Sequence, residues 1–260
     1  MITLFDNPFS PFARKVRLVL LHKNLEFDTV DGLLKSNHQA LGKINGRVEV
    51  PALVDDGVSV VNSADIVNYL EHRYPGHPIY PASPLDRVNA RAWERCADTL
   101  IDPILVNVSY WQWAERPDEM PEGLFQAAKT DMCNVFQRLE HYLDNKKYIC
   151  GEMSIADLAL FPHLASTKSL GLEFSAIQFP KLTDWFSRMR GLPMCVEDLK
   201  RTRAYLSNLV DSDVERTKLF WRGDRIEWLL SHGFHGWFMN EIKEERVAWP
   251  GSSLPPKLKD

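Results

Sequence analysis

The stretch Asn7-Pro8-Phe9-Ser10-Pro11-Phe12 decides the fold, because it separates a short strand from the first amphipathic helix. The apolar run Ile2-Thr3-Leu4-Phe5 before it predicts a buried strand, and residues with helical spacing follow it: Phe12, Val16, Val19 and Leu20. Proline is favoured at the first helical position, so Ser10 is expected at the N-terminal mouth of the helix. Such a mouth can hold an anion, although serine is equally a preferred N-cap. Arg14 and Arg17 are expected to add positive charge there.

Bulk composition limits the classes of protein that this chain can represent. Its 260 residues suffice for two domains, and 45% hydrophobic with 25% charged residues is typical of a soluble globular protein. A net charge of −4 predicts no general attraction to nucleic acid or to a membrane surface. The N-terminus lacks a signal-peptide pattern, and the four cysteines have neither disulfide-frame nor metal spacing. We therefore expect a cytoplasmic protein with no metal site, no membrane partner and no nucleic-acid partner.

The first eighty residues predict a mixed sheet with helices. Residues Leu25 to Val30 alternate like a strand, and Leu33 to Leu41 predict an irregular helix. Two strand-like runs between Val48 and Val61 are joined by Asp56-Gly57, which is a strong hairpin signal. Pro51 lies inside the first run, where it requires an edge, a bend or a cis bond. A helix opens at Asn62-Ser63, which completes the order βαβαββα.

With these residues in place, the chain resembles the glutathione transferase superfamily. The matching signals are Ser10-Pro11-Phe12 after the first strand, Val50-Pro51 before the third and Asn62-Ser63 at the third helix. In the second half, residues 151–159 are similar to the superfamily's buried N-capping box, and residues 179–186 to a later helix start. The resemblance covers about residues 1–205. It implies a thioredoxin-like α/β domain followed by an all-α domain. It also implies a transferase of the serine type, either bacterial-like or tau/theta-like.

The resemblance also implies roles for individual residues, with glutathione as co-substrate. Ser10 would donate a hydrogen bond to the glutathione sulfur and so be the catalytic residue. Val50 and a cis Pro51 would pair with the peptide like an added strand, and Ser63 would hold the γ-glutamyl carboxylate at a helix N-terminus. Two positions depart from the usual pattern, and both are assigned to the glutathione site. Asn62 replaces an acidic residue and supplies no negative charge for the α-amino group, and Glu49 replaces glutamine or lysine.

The remainder of the chain predicts helices around a proline-rich connector. We expect a glutathione-binding domain over residues 1–78, a helical substrate domain over 85–205 and an aromatic-rich extension over 206–260. Asp102-Pro103 should interrupt the first long helix. Residues 124–143 predict a second helix, and 154–169 a buried one that opens with a capping box of Ser154 and Asp157.

Aromatic residues raise two further expectations. Phe12, Tyr110, Trp111 and Trp113 are assigned to a hydrophobic substrate pocket, with core or dimer packing as the alternative for the last three. The extension carries too many aromatics to stay solvated, so it should fold back on the body, on a partner subunit or over the mouth of the site. Its helices are expected at residues 225–230 and 238–247.

These observations predict a glutathione transferase that attacks a small hydrophobic electrophile and works as a homodimer. Glutathione-dependent dehalogenation or ether cleavage shares the thiolate chemistry and remains an alternative. A non-catalytic binding or stress-regulatory protein on the same fold is a second alternative, which Asn62 and Glu49 favour. A thiol reductase is disfavoured, because the attacking position holds Ser10 instead of cysteine.

Overall fold

The computed structural model describes residues 1–32, 34–113, 116–208, 219–220 and 223–249. The N-terminal part is built from strands β1 (Ile2–Asp6), β2 (Phe27–Asp31), β3 (Ala52–Asp55) and β4 (Val58–Val61) with helices α1 (Pro11–His22), α2 (His38–Asn45) and α3 (Ser63–Arg73). A short 3-10 turn, Lys35–Asn37, precedes α2. The predicted order βαβαββα is confirmed, whereas Leu33 lies outside the described residues.

The four strands form a mixed sheet in the order β2-β1-β3-β4. β1 pairs parallel with β2 and antiparallel with β3, and β3 pairs antiparallel with β4 across the Asp56-Gly57 turn. Alternate residues of β1 serve the two faces of the sheet. Leu4 packs with α1 and α3, whereas Phe5 packs with Leu41 of α2.

The second part is helical, as the sequence predicts, with helices α4 (Pro84–Cys96), α5 (Asp102–Trp113), α6 (Leu124–Tyr142), α7 (Ile155–Leu164), α8 (Pro180–Gly191) and α9 (Pro193–Asn208). A π-helical turn, Ala97–Ile101, separates α4 from α5 and ends directly before Asp102-Pro103. Proline lacks the N–H that continues an α-helical ladder, so this interruption has the cause expected from the sequence.

Helix α7 carries the predicted capping box but ends earlier than the sequence suggests. The Ser154 N–H donates to Asp157 Oδ2 at 2.9 Å, and the Trp185 indole N–H donates to Asp157 Oδ1 at 2.8 Å. Burial raises the pKa of the Asp157 carboxyl, against the opposing effect of these donors. The helix ends at Leu164 because the hydroxyls of Ser166 and Thr167 bond back to main-chain carbonyls, which competes with helix continuation.

The extension continues with β5 (Leu219–Phe220), α10 (Gly223–Ser231), α11 (His235–Lys243) and β6 (Val247–Ala248), in which β5 and β6 pair in parallel. The sequence predicts the second helix of the extension at 238–247, but α11 begins and ends several residues earlier. Trp228 and Phe238 are buried, so the extension does fold back on the body. Trp249 is 57% exposed, contrary to expectation, and the Phe220 side chain and Trp221 lie outside the described residues.

Helix α1 joins the two halves of the molecule, since it packs on α3 in the first and on α7 and α9 in the second. Within the described ranges, no helix is both long and apolar enough to cross a bilayer.

Candidate functional site

Ser10 lies at the mouth of α1 as predicted. The turn that precedes it is closed by a hydrogen bond of 3.0 Å from the Ser10 N–H to the Asn7 carbonyl. The Ser10 hydroxyl is half-buried and accepts a long bond of 3.4 Å from the Ala13 N–H, so the residue does cap the helix. Because the hydroxyl oxygen is the acceptor in this bond, its own proton can still be donated to another acceptor. The capping role and the sulfur-binding role are therefore compatible.

Arg14 and Arg17 do not supply free positive charge at this mouth, which corrects the expectation from the sequence. Both side chains are buried, and both form ion pairs with the buried Asp198 of α9. Arg17 pairs in addition with Asp6 at the end of β1. Nearby carboxylates compensate the two guanidinium charges, so an anion at the mouth would meet the helix dipole and N–H groups instead.

The Val50–Pro51 peptide bond is cis and directly precedes β3. Both residues are buried and line a cavity. Glu49 lines the same cavity and forms an ion pair of 3.3 Å with Arg47. The Glu49 carbonyl accepts a bond of 2.7 Å from the Asn45 side chain, which holds the segment before the cis bond in place.

At the start of α3, the neighbouring residues Asn62 and Ser63 have different roles. Asn62 is the N-cap, and its side-chain oxygen accepts a bond of 3.0 Å from the Ala64 N–H. Ser63 is the first helical residue, buried, and lines the cavity. Helix capping therefore belongs to Asn62, and the Ser63 hydroxyl stands at a helix N-terminus that also carries Asp65 in its first turn.

One cavity of about 920 Å³ joins these pieces. Its inner wall contains Phe12, Val50, Pro51, Asn62 and Ser63, and its outer wall adds residues of α4, the π-helical turn and the extension, including Arg91, Arg95, Asp98, Gly223 and Asp224. Ser10 precedes the lining residue Phe12 by two positions and is not itself part of the lining. Sequence reasoning missed the outer wall, because nothing in the spacing of α4 and α10 shows that both line the same cavity.

A charge cluster around the buried Lys15 forms part of the outer wall. The Lys15 ammonium contacts Glu94 at 3.1 Å and Asp98 at 2.6 Å, and both carboxylates line the cavity. Burial raises the pKa of the Glu94 carboxyl, against the opposing effect of Lys15. The wall here is polar and compensated in charge, unlike the aromatic wall that the sequence predicted.

The predicted aromatic pocket is wrong for Tyr110 and Trp111. The two side chains are 2% and 1% exposed and lie in the core beneath the extension. The Trp111 ring contacts Trp237 with centroids 5.2 Å apart, and the Tyr110 hydroxyl donates to Glu241 at 3.3 Å. Core packing, the alternative reading, describes them. The Trp113 side chain lies outside the described residues, and Phe12 does line the cavity.

No group of three or more metal-ligating side chains meets at one place in the described ranges.

Comparison with known protein families agrees with this architecture. The N-terminal domain of glutathione S-transferase matches residues 4–78, and the C-terminal domain of glutathione S-transferase matches residues 108–193. The two matches fall on the sheet domain and on the helical domain described above.

Individual relatives show the same pattern. A probable maleylacetoacetate isomerase of Caenorhabditis elegans is 32% identical over 166 residues, which cover 62% of this chain and 76% of that protein. The structure of Ure2p5 from Phanerochaete chrysosporium, cocrystallised with a glutathionyl dinitrobenzene, superposes with a TM-score of 0.69 at 21% identity over 80% of this chain and 97% of that one. The β-etherase LigF from Sphingobium sp. superposes with a TM-score of 0.65 at 22% identity over 77% and 99%. These matches show that the chain belongs to the glutathione S-transferase superfamily.

Proposed function

We propose that the protein is a glutathione transferase whose co-substrate glutathione occupies the inner half of the cavity. One observation carries the proposal: the cavity brings the cis Val50–Pro51 edge and the Ser63 helix mouth together with Phe12, next to Ser10. The main chain before β3 would pair with the extended peptide. Ser63 and the first N–H groups of α3 would hold the γ-glutamyl carboxylate.

Ser10 would then stabilise the glutathione thiolate from the mouth of α1. An unperturbed thiol has a pKa of about 8.5, and lowering it by about 2 units requires about 2.7 kcal/mol of differential stabilisation. A hydrogen bond to a charged acceptor contributes about 1.5–3 kcal/mol, and the helix dipole adds up to about 1 kcal/mol. These two contributions are sufficient. The sulfur electron pair attacks an electrophilic carbon, a C–S bond forms, and the leaving group departs with its electrons.

The second substrate would lie between the domains, beside Phe12 and against the outer wall. The expected small hydrophobic electrophile can use Phe12, while the polar side chains of α4 and α10 would meet its substituents. Dehalogenation and ether cleavage need the same thiolate and differ only in the leaving group. The proposal also includes the superfamily's usual homodimer, a cytoplasmic location and a role in detoxification.

A non-catalytic binding or regulatory role is the second candidate, and the structure adds an observation in its favour. The side-chain oxygen of Asn62 is engaged in capping α3, and the Glu49 carboxylate is paired with Arg47. Neither group brings an uncompensated charge to the α-amino group of glutathione. Retention on immobilised glutathione together with turnover of an activated aryl halide would support the enzyme; retention without turnover would support the binding protein.

Ser10→Ala tests the catalytic assignment. We expect turnover to fall about 10–100-fold, equivalent to about 1.4–2.7 kcal/mol, with little change in glutathione affinity because the peptide is held elsewhere. Ser10→Thr is the matched control, since it keeps both a hydroxyl and a good N-cap. Full activity and an unshifted pH–rate profile in the alanine variant would exclude Ser10 as the thiolate ligand.

A further inference from the structure

One face of helix α9 is directed at the turn that carries Ser10. Asp198, Thr202 and Tyr205 are spaced four and three residues apart, so they share a face of the helix. All three contact the segment between β1 and the first turns of α1. The contacts join residues that lie about two hundred positions apart in the chain, at the boundary between the two domains.

Asn7 is the centre of this arrangement and is only 1% exposed. Its side-chain oxygen accepts a bond of 2.9 Å from the Phe9 N–H, which shapes the turn from within. Its amide nitrogen donates to the Tyr205 hydroxyl at 2.7 Å and to the Asp31 carboxylate at 3.0 Å. Burial raises the pKa of the Tyr205 phenol, so the group remains a neutral hydroxyl at physiological pH.

The main chain of the turn is held as well. The Thr202 hydroxyl lies 3.0 Å from the Pro8 carbonyl and 2.9 Å from the Asp198 carbonyl of its own helix. Asp198 also forms an ion pair of 2.7 Å with Arg14, which lies in the first turn of α1. Helix α9 therefore contacts the chain on both sides of Ser10.

From this geometry we infer that α9 is a positioning element of the sulfur site, with Thr202 and Tyr205 as positioning residues that fix the direction of the Ser10 hydroxyl. The inference rests on the proposed function. A hydrogen bond to sulfur is directional, and an active-site group must be held to about 0.5 Å to act. Within the described part of the chain, the hydrogen bond of the Ser10 hydroxyl is the 3.4 Å one from the Ala13 N–H, so its direction depends on the backbone of the turn.

Tyr205→Phe and Thr202→Val remove the two hydroxyls and keep the size of each side chain. A misplacement of a reacting group by about 1 Å can lower the rate about 100-fold. The loss of one hydroxyl should shift the turn by less than this, so we expect each variant to lower kcat about 10-fold. The pKa of the bound glutathione thiol should rise in both variants, whereas the KM for glutathione should stay within about 2-fold because Val50, Pro51 and Ser63 are untouched. Thr202→Ser, which restores the hydroxyl, should recover kcat.

Arg201→Gln is the matched control. Its guanidinium donates to the Thr29 hydroxyl at 3.0 Å, so it also joins α9 to the first domain but does not touch the turn. This variant should leave kcat and the thiol pKa unchanged. An equal loss of kcat in Arg201→Gln, or a rise in KM that accounts for the whole effect, would show that α9 acts only through general domain packing and would overturn the inference.

Hydrogen exchange separates this inference from the proposed function. The Phe9 and Ser10 amides should exchange faster in Tyr205→Phe and Thr202→Val than in the parent protein and in Arg201→Gln. This readout needs no activity. Unchanged exchange in these two variants would overturn the positioning role, even if the enzyme is active. If exchange is faster in them but Ser10→Ala is fully active, the contact of α9 with the turn is retained and the catalytic role of Ser10 is rejected.

Discussion

At the scale of single residues, the start of α3 separates ligand binding from helix stability. Because Asn62 is the cap and Ser63 faces the cavity, Ser63→Ala should weaken glutathione binding by about 1–3 kcal/mol, the cost of a lost bond to a charged group. The melting temperature should hardly change. Isothermal calorimetry with glutathione and a thermal melt of the same variant measure the two quantities.

Asn62→Ala is the counterpart. It removes the cap, which costs about 1 kcal/mol of stability, and it leaves an alanine in a left-handed backbone conformation with φ of 70°. The variant should melt at a lower temperature while the Ser63 hydroxyl contact survives.

Unaltered glutathione affinity in Ser63→Ala would mean that the γ-glutamyl carboxylate lies elsewhere, and the glutathione pose proposed above would be wrong.

The residues that sequence reasoning located correctly are those whose role depends on local structure. Helix mouths, a proline before a strand and an Asp-Gly turn are fixed by neighbouring residues, so Ser10, Pro51 and Ser63 were placed on the correct elements. The prediction of free positive charge at Arg14 is wrong because its partner Asp198 lies 184 residues later in the chain. A charge that is neutralised by tertiary contact carries no local mark in the sequence.

At the scale of elements, the start of α5 and the start of α10 meet through a buried ion pair. Arg225 at the start of α10 contacts Asp102 at 2.9 Å, and the Asp102 side chain is 3% exposed. Arg225→Ala would leave this carboxylate buried without its partner, which should lower the free energy of unfolding by about 3–5 kcal/mol. Urea unfolding followed by tryptophan fluorescence measures the loss.

Two comparisons test that mechanism. Lys181→Ala breaks an ion pair with Asp144 in which both side chains are well exposed, and it should change stability little. Adding Asp102→Asn to Arg225→Ala removes the stranded charge and should regain part of the stability. If Arg225→Ala and Lys181→Ala behaved alike, the Asp102 pair would not anchor the extension.

At this scale, the sequence does not predict where each element ends or which elements pack against one another. The 3.6-residue periodicity of α6 and the interruption before Pro103 follow from local chemistry, and the structure has both. Periodicity shows that Tyr110 and Trp111 lie on an apolar surface, but it does not show what covers that surface. The cover is Trp237 and Glu241 of the extension, more than a hundred residues away.

At the scale of the whole molecule, the cavity is composite. The first domain supplies the inner wall, α4 and the π-helical turn supply much of the outer wall, and Gly223 and Asp224 of the extension complete it. The extension is also anchored at its far end, where Arg116 and Arg246 flank Glu241. We therefore expect the residues after α9 to affect the second substrate more than glutathione.

Deletion of residues 211–260 tests whether the extension affects the second substrate more than glutathione. Trp228 and Phe238 are 5% and 4% exposed, and full burial of one such side chain is worth about 1.5–3 kcal/mol. The truncated protein should therefore be less stable, and it should bind an apolar dye because the surface around Trp111 becomes exposed. Its selectivity among electrophiles should loosen. Glutathione affinity should persist, because the proposed contacts all precede residue 65.

Limited proteolysis of the intact protein checks the same idea without a truncated variant. If the extension closes the outer wall, cleavage after α9 should be slow, and a bound conjugate of glutathione with an aryl group should slow it further by adding contacts at Gly223 and Asp224. Arg225→Ala should speed cleavage, since it removes the anchor on Asp102. Rapid clipping within residues 209–218 that left stability and selectivity intact would show that the extension is not a wall of the substrate site.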